Sequence, residues 1–374
     1  MRSVGVEEEL LLVDASSGSP LAVSGAVLAA AERSAGRHGG HGREDHEFEK
    51  ELHKEQVEFA TKPLTEMGEL REEITRIRGE AARHAATADA RVLAVATSPL
   101  PVRPSLNAGP RYRWLGERFG LTAQEQLTCG CHVHVSVASD EEGVAVLDRI
   151  RPWLAVLTAI SANSPFWQGE DSGYGSYRSR VWNRWPSAGP VDLFGSADRY
   201  REQVRAMIDT GVLRDEGMIY FDARLSASYP TVEVRVADVC LDPETTVLLA
   251  ALVRGLVETA ARAWQQGQPP ARIGTSLLRL ASWRAGRSGL DGPLLHPETM
   301  RETPPEQVVD ALYRYVREAL LDHGDDERVR EAIAHLHERG NGARVQRRLH
   351  AEGRPLAAVV AECAQMTLGR AATA

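Results

Sequence analysis

The chain has 374 residues, 43% apolar and 26% charged, with a formal net charge of −8, the make-up of a globular protein long enough to bury a sizeable core. The acid excess and the lack of a long basic stripe argue against a nucleic-acid partner, and the longest apolar run, Val247 to Val253, is far too short to span a membrane. The four cysteines have neither the two-pair spacing of a structural zinc site nor the density of a disulfide framework, and with acids in place of a signal pattern near the N-terminus they predict a cytoplasmic protein.

The first predicted element is a strand over Ser3 to Val13. Alternation puts Glu7 and Glu9 on one face, beside Leu11 and Val13, and turns Glu8 to the other with Val6 and Leu10. Two carboxylates on one strand face lie roughly 6 to 7 Å apart and repel in an apolar setting unless a cation sits between them. A bound metal is one reading, and an edge strand guarded by water-facing acids is the other. A small-residue helix near Gly25 to Ser34 and a glycine- and histidine-rich loop, Gly36 to Gly42, follow. Glu47 to Ala60 starts as a loop and finishes as a strand, with Glu58 wedged between Val57 and Phe59 where a sheet rim would display a metal-binding carboxylate. Glu51 and Glu55 read equally well as a solvated acidic run. After Pro63 an amphipathic helix carries Leu70, Ile74 and Ile77 at helical spacing through about Thr87.

Arg91 to Thr97 reads as a core strand, and the proline-rich stretch from Pro101 turns short-helical before Thr122. Cys129 to Val137 is an alternating strand with His132, His134 and Ser136 on one face and Cys131, Val133, Val135 and Val137 on the other. The paired imidazoles suit a metal or an anion, or simply a solvated polar face. Arg149 to Asn163 is helical and is broken by Ser164-Pro165. The next segment, to Pro190, is aromatic, arginine-bearing and nearly free of aliphatics, a structured loop whose Arg178, Arg180 and Arg184 could clamp phosphate or carboxylate bidentately between aromatic walls. A helix near Ala197 to Thr210 precedes two strands, Gly217 to Arg224 and Thr231 to Val239. Glu233 and Arg235 share one face there, as do Asp222 and Arg224, either lining one pocket or forming an internal ion-pair ladder. The rest is helical: Pro243 to Gln266, Pro304 to Leu321, Asp325 to Glu338 and a segment after Pro355. Strands in the first two thirds with helices behind predict one α+β domain over 1–374.

There is no Gly-x-x-x-x-Gly-Lys-Ser/Thr run, no Gly-x-Ser-x-Gly elbow and no Gly-x-Gly-x-x-Gly after a strand, which removes P-loop, serine-hydrolase and dinucleotide-binding readings. An acidic, partly histidine-lined sheet face with arginines nearby is what phosphoryl transfer needs: carboxylates to hold Mg²⁺ on phosphates and guanidiniums to take up charge on the moving group. A metal-dependent amidohydrolase using His132 and His134 is the alternative, although such enzymes need a β/α alternation that this chain does not offer.

Seven segments in order, Val4-Gly-Val-Glu-Glu-Glu-Leu10, Gln56-Val-Glu-Phe-Ala-Thr61, Gly130-Cys-His-Val-His-Val135, Ser176-Tyr-Arg-Ser-Arg-Val-Trp182, Tyr229-Pro-Thr-Val-Glu-Val-Arg-Val236, Trp283-Arg-Ala-Gly-Arg-Ser-Gly-Leu-Asp-Gly292 and Gly340-Asn-Gly-Ala-Arg-Val-Gln-Arg347, closely resemble the bacterial carboxylate-amine ligases of the type 2 glutamate-cysteine ligase family. The resemblance implies a curved antiparallel sheet funnel of the glutamine-synthetase catalytic type with helices packed outside. It implies ATP and Mg²⁺ as cofactors and a γ-glutamyl amide made through an acyl phosphate from glutamate and an amino-acid amine. By position it implies Glu7, Glu9, Glu51, Glu58, His132 and Glu233 as metal ligands and Arg235 as the stabiliser of the transferring phosphoryl group. Arg178, Arg180, Arg184, Trp283, Arg284 and Arg287 would then contact nucleotide or substrate, and self-association is the expectation for this type of fold. Glu8, on the opposite face, is expected to be structural.

Overall fold

The computed structural model describes residues 1–37 and 48–370, with side chains omitted at 35–37; the glycine- and histidine-rich loop beyond position 37 lies outside them. The long first strand, β1 (Val4–Asp14), is central to a seven-stranded sheet. It pairs with β3 (Gln56–Ala60), with β4 (Ala90–Leu93) and with β5 (Gly130–Ser136); β2 (Phe48–Lys50) lies outside β3, and β5 leads through β7 (Thr231–Asp238) to β6 (Ala223–Leu225) at the far edge. Every ladder of this sheet is antiparallel, so the β/α barrel frame of the amidohydrolase alternative has no counterpart here.

Two apolar cores flank this sheet. One gathers β5 and β7 valines against the buried helix Pro243–Gln265, and the other gathers Leu10 to Val13, β3 and β4 against the C-terminal helix Leu356–Thr367. Glu8 reaches into the interior on the helix side, where fully buried Arg78, from helix Met67–Ala86, grips its carboxylate at 2.7 and 2.8 Å. Its structural role was therefore readable from alternation alone.

Several boundaries differ from the sequence reading. The strand expected over Arg91 to Thr97 stops at Leu93, because beyond Leu11 the same edge of β1 passes to β5 and the following backbone finds other partners: Ala94 N–H bonds Thr367 Oγ1 at 2.9 Å and Ala96 N–H bonds the Asn163 carbonyl at 3.1 Å. Of the expected Gly217 to Arg224 strand only the last two residues are strand, within Ala223–Leu225; its start is a 3₁₀ turn, Glu216–Met218. The helix expected from Arg149 begins at Asp140, capped by Ser139 accepting the Glu142 N–H, and Pro152 breaks it through a 3₁₀ turn before Leu154–Ser161. Helices Thr275–Ser288 and Gly342–Ala351 were not anticipated; the first leaves Leu277, Leu280 and Trp283 exposed, which blurs the apolar stripe a sequence reader looks for. No helix among the described residues is long and apolar enough to cross a membrane.

Candidate functional site

Register assembles the site. Glu9 stands opposite Glu58, Glu7 opposite both Ala60 and His132, and His134 opposite Glu233. Between Cys131 and Val133 the β5–β7 ladder slips, so that Arg235 and Val236 together face the single His132. A bulge of this kind re-aims a side chain, and here it carries Arg235 onto the acidic face. The walls of a cavity of about 460 Å³ include Glu7, Glu9, Glu51, Glu58, His132 and Arg235, with Gln56, Gln126, Thr128, Trp182, Tyr220 and Arg224 around them.

Three overlapping groups each bring their ligand atoms within 4.8 Å of one another: Glu7–His134–Glu233, Glu7–Glu58–His132 and Glu9–Glu51–Glu58. Glu7 is the hinge between the first two. One of its oxygens lies 3.2 Å from His132 Nδ1 and the other 3.2 Å from His134 Nε2. His132 Nε2 is buried without a hydrogen-bond partner, 4.0 Å from Glu9. A set of five carboxylates and two imidazoles, with an orphaned imidazole nitrogen aimed among the acids, fits a divalent cation, and the predominance of oxygen donors suits Mg²⁺.

The titration behaviour separates the acids. Burial raises Glu9 to about 7, reinforced by Glu51 and relieved in part by Arg178 and the Gly130 N–H at 2.7 Å. Burial and the neighbouring Glu51 and Glu7 hold Glu58 well above the carboxylate range. Burial pushes Glu7 up too, but hydrogen bonds from His132 and His134 more than offset it and leave it well below its ordinary value. Burial is likewise outweighed at Glu233, which Arg235 and Arg224 bring down to about 2, whereas burial and the Arg235 charge lower His132 to about 4. Uncompensated Glu9 and Glu58 beside ionised Glu7 are what a cation would neutralise.

A pH dependence follows. For an acid whose folded pKa is raised, stability is present below the unfolded value and is lost as pH climbs toward the folded one. In metal-free buffer Glu9→Gln should therefore gain stability relative to the parent as pH rises from 4.5 to about 7, by on the order of 3 kcal/mol. Urea unfolding of both proteins at several pH values measures this gap, which Mg²⁺ should narrow; a gap independent of pH would contradict it.

Arg235 pairs with Glu233 and spans the Trp182 ring at 5.8 Å, while Arg224 grips the same carboxylate at 2.7 and 3.2 Å. Of the other arginines singled out in the sequence, Arg178 is buried behind Gly130, 4.0 Å from Asp238 and 5.5 Å from the centre of Trp182, so it supports the wall from beneath. Arg180, Arg184, Trp283, Arg284 and Arg287 lie outside the cavity wall. Arg184 pairs with Glu125 at 2.9 Å and Arg284 with Glu302 at 3.2 Å; Arg287 caps the Gly173 carbonyl over Tyr174, and Trp283 is 40% exposed. His134, which has no separate task in the sequence reading, belongs to one of the candidate ligand groups. Gln56 and Gln126 were not anticipated, although Gln56 alternates with Glu58 on one strand and so faces the same cavity.

The sequence profile described as glutamate-cysteine ligase family 2 matches residues 3–365. A Streptomyces avermitilis protein named as candidate glutamate–cysteine ligase 2-1 is 60% identical over 369 residues, covering 99% of this chain and 100% of its own. Among solved structures, a Francisella tularensis glutamate–cysteine ligase in complex with AMP superposes with a TM-score of 0.70 at 13% identity, over 98% of this chain and 88% of that one. A bifunctional glutathione synthetase of Pasteurella multocida gives 0.72 at 14%, over 98% of this chain and 52% of that one. At those identities the two superpositions establish the α+β fold.

Proposed function

Because the chain belongs to glutamate-cysteine ligase family 2 and is thus a carboxylate-amine ligase, we propose that it uses ATP to phosphorylate the γ-carboxylate of glutamate, whose acyl phosphate an amino-acid amine then converts to a γ-glutamyl amide. The observation that carries this reading is the meeting of three acidic groups, two of them with an imidazole, with the Arg235–Glu233–Arg224 ladder beside one cavity. A carboxylate resists nucleophiles until one of its oxygens becomes a good leaving group, and phosphorylation supplies that change.

In this reading Glu7, Glu9, Glu51, Glu58, His132, His134 and Glu233 would hold Mg²⁺, which neutralises phosphate charge when bound. The remaining work falls to the chain. Arg235 presents a guanidinium to the transferring phosphoryl group, where charge-assisted hydrogen bonds are strongest. Glu233 fixes Arg235 and Arg224 in place, and the Trp182 face restricts the Arg235 guanidinium to the cavity side. Residues 1–374 act as one catalytic unit on small-molecule substrates, supported by a sheet shared between the two cores.

The test is ADP release with Mg²⁺, ATP and glutamate against a panel of amino-acid amines that includes cysteine. Release should require glutamate and be stimulated by at least one amine, with the amide recovered by mass spectrometry. No stimulated release with any amine would overturn the ligase reading.

A further inference from the structure

The cavity floor has a direction. Strand alternation carries it from the rung of Arg235, His132 and Glu7 to the Glu9–Glu58 pair, and one step further to Gln56, which stands opposite Leu11. A step of two residues along a strand is roughly 6 to 7 Å. At that far end Gln56 and Gln126 are 2% and 3% exposed, and both side-chain amides are anchored on one residue. Gln56 Nε2 donates to the Thr128 carbonyl at 3.3 Å and Gln126 Nε2 to Thr128 Oγ1 at 3.1 Å. A carbonyl can only accept, so it fixes which way the Gln56 amide points. The Gln56 Oε1 is thereby left buried in the cavity wall with no hydrogen-bond partner, and so is the Gln126 Oε1 when its amide nitrogen is the atom facing the Thr128 hydroxyl.

A buried acceptor without a donor is costly, and two from amides anchored on the same residue in a substrate-sized cavity ask for a ligand group that donates more than once. A carboxylate or phosphate cannot do so, since it only accepts. A hydroxyl donates once. A primary ammonium donates three times, enough for both glutamine oxygens with one hydrogen left toward the acidic step behind them.

We propose that Gln56 and Gln126 form the subsite for the α-ammonium of the amino acid whose side-chain carboxylate is activated at the Glu7–Glu58–His132 end of the same cavity. This rests on the ligase reading above. The ammonium is assigned to the carboxylate donor on chemical grounds. The acceptor amine must shed a proton before it attacks, and a pocket of bare carbonyl oxygens beside acids stabilises the protonated form and so opposes that step. The donor's ammonium never reacts and can remain protonated throughout. In extended glutamate the α-nitrogen and the γ-carboxylate are separated by a span comparable to one step along the strand face, enough to reach from Gln56 to Glu58, the nearest member of that group.

The discriminating probe is glutarate, which is glutamate without its amine. The parent enzyme should favour glutamate over glutarate in kcat/KM for ADP release, measured with a saturating amine that supports turnover. Gln56→Leu and Gln126→Leu should each raise the glutamate KM by roughly 10- to 100-fold, the worth of a hydrogen bond to a charged group. They should leave the ATP KM within about twofold and reduce the glutamate-to-glutarate preference by the same factor. Gln126→Glu keeps an acceptor oxygen and lets the Thr128 hydroxyl donate to it, so it should retain the preference; this rescue separates ammonium binding from a merely structural role. If either leucine variant fails to fold, the other and the glutamate variant still decide the matter. An unchanged glutamate-to-glutarate ratio in a folded, ADP-releasing leucine variant would overturn the proposal while leaving the ligase reading intact. Absence of release from the parent with every amine would overturn the ligase reading itself.

Discussion

Glu7→Gln is expected to lower ADP release by at least roughly 100-fold, on the scale of removing one preorganised charged group from an active site, while the protein stays folded. Glu7 belongs to two of the three ligand groups and sits between both imidazoles at 3.2 Å. The substitution removes a charge and turns an N–H₂ toward positions where a cation or an imidazole proton would lie. Its second consequence is on His134. Burial alone would lower that imidazole, and the hydrogen bond and charge of Glu7 reverse the sign and raise it. Without Glu7 the imidazole should titrate at lower pH, which NMR of the ring protons can follow independently of turnover. The fold should survive, because Glu7 makes no contact to the helices behind the sheet comparable to that of Glu8. Parent-like turnover in a folded Glu7→Gln protein would remove Glu7 from the metal site; so would unchanged Mn²⁺ binding followed by electron paramagnetic resonance.

Most of the acidic face was legible in the sequence because strand alternation is a rigid rule. Once β1, β5 and β7 are strands, the faces of Glu7, Glu9, His132, His134, Glu233 and Arg235 follow. What alternation does not encode is register. The pairing of His134 with Glu233, and the slip that sets Arg235 and Val236 against His132, depend on inter-strand hydrogen bonds that no local pattern announces, which is why His134 had no assigned task. The arginines outside the cavity illustrate the converse. Most of this chain's positive charge is arginine, with only three lysines, so any arginine near an aromatic looks like a ligand clamp. Arg184 and Arg284 instead meet Glu125 and Glu302 at the surface, ordinary ion pairs of small energetic weight. Gln56 and Gln126 are silent in the sequence for another reason. An uncharged amide carries no signal until its burial and its empty acceptor are known.

Arg78→Met is expected to destabilise the protein by about 3 to 5 kcal/mol, the cost of leaving a buried charge without its partner. Arg78 interrupts the apolar stripe formed by Ile74, Ile77 and Ala81, and both it and Glu8 are fully buried. Its guanidinium donates to both oxygens of Glu8 and to the carbonyls of Cys240 at 2.8 Å and Thr367 at 3.1 Å; Thr246 adds a hydroxyl to Glu8 at 2.6 Å. One side chain thus ties β1 to three separate helical regions. Methionine fills the volume but takes the cation from the carboxylate and the donor from the carbonyls of Cys240, Leu241 and Thr367, so chemical denaturation should show the loss at neutral pH. Glu8→Gln combined with Arg78→Met should cost less than the sum of the single changes, because it removes the unpaired charge; strict additivity would mean that the pair is not coupled. The consequence reaches the active site through register. Side chains alternate with a period of two, so a slip of β1 by one residue would turn Glu7 and Glu9 toward the helices and bring Glu8 to the cavity. A carboxylate that can find its guanidinium only when Glu8 faces the helices makes that slip costly, and the three consecutive glutamates keep one arrangement: the middle one fixes the strand so that its two neighbours face the cavity.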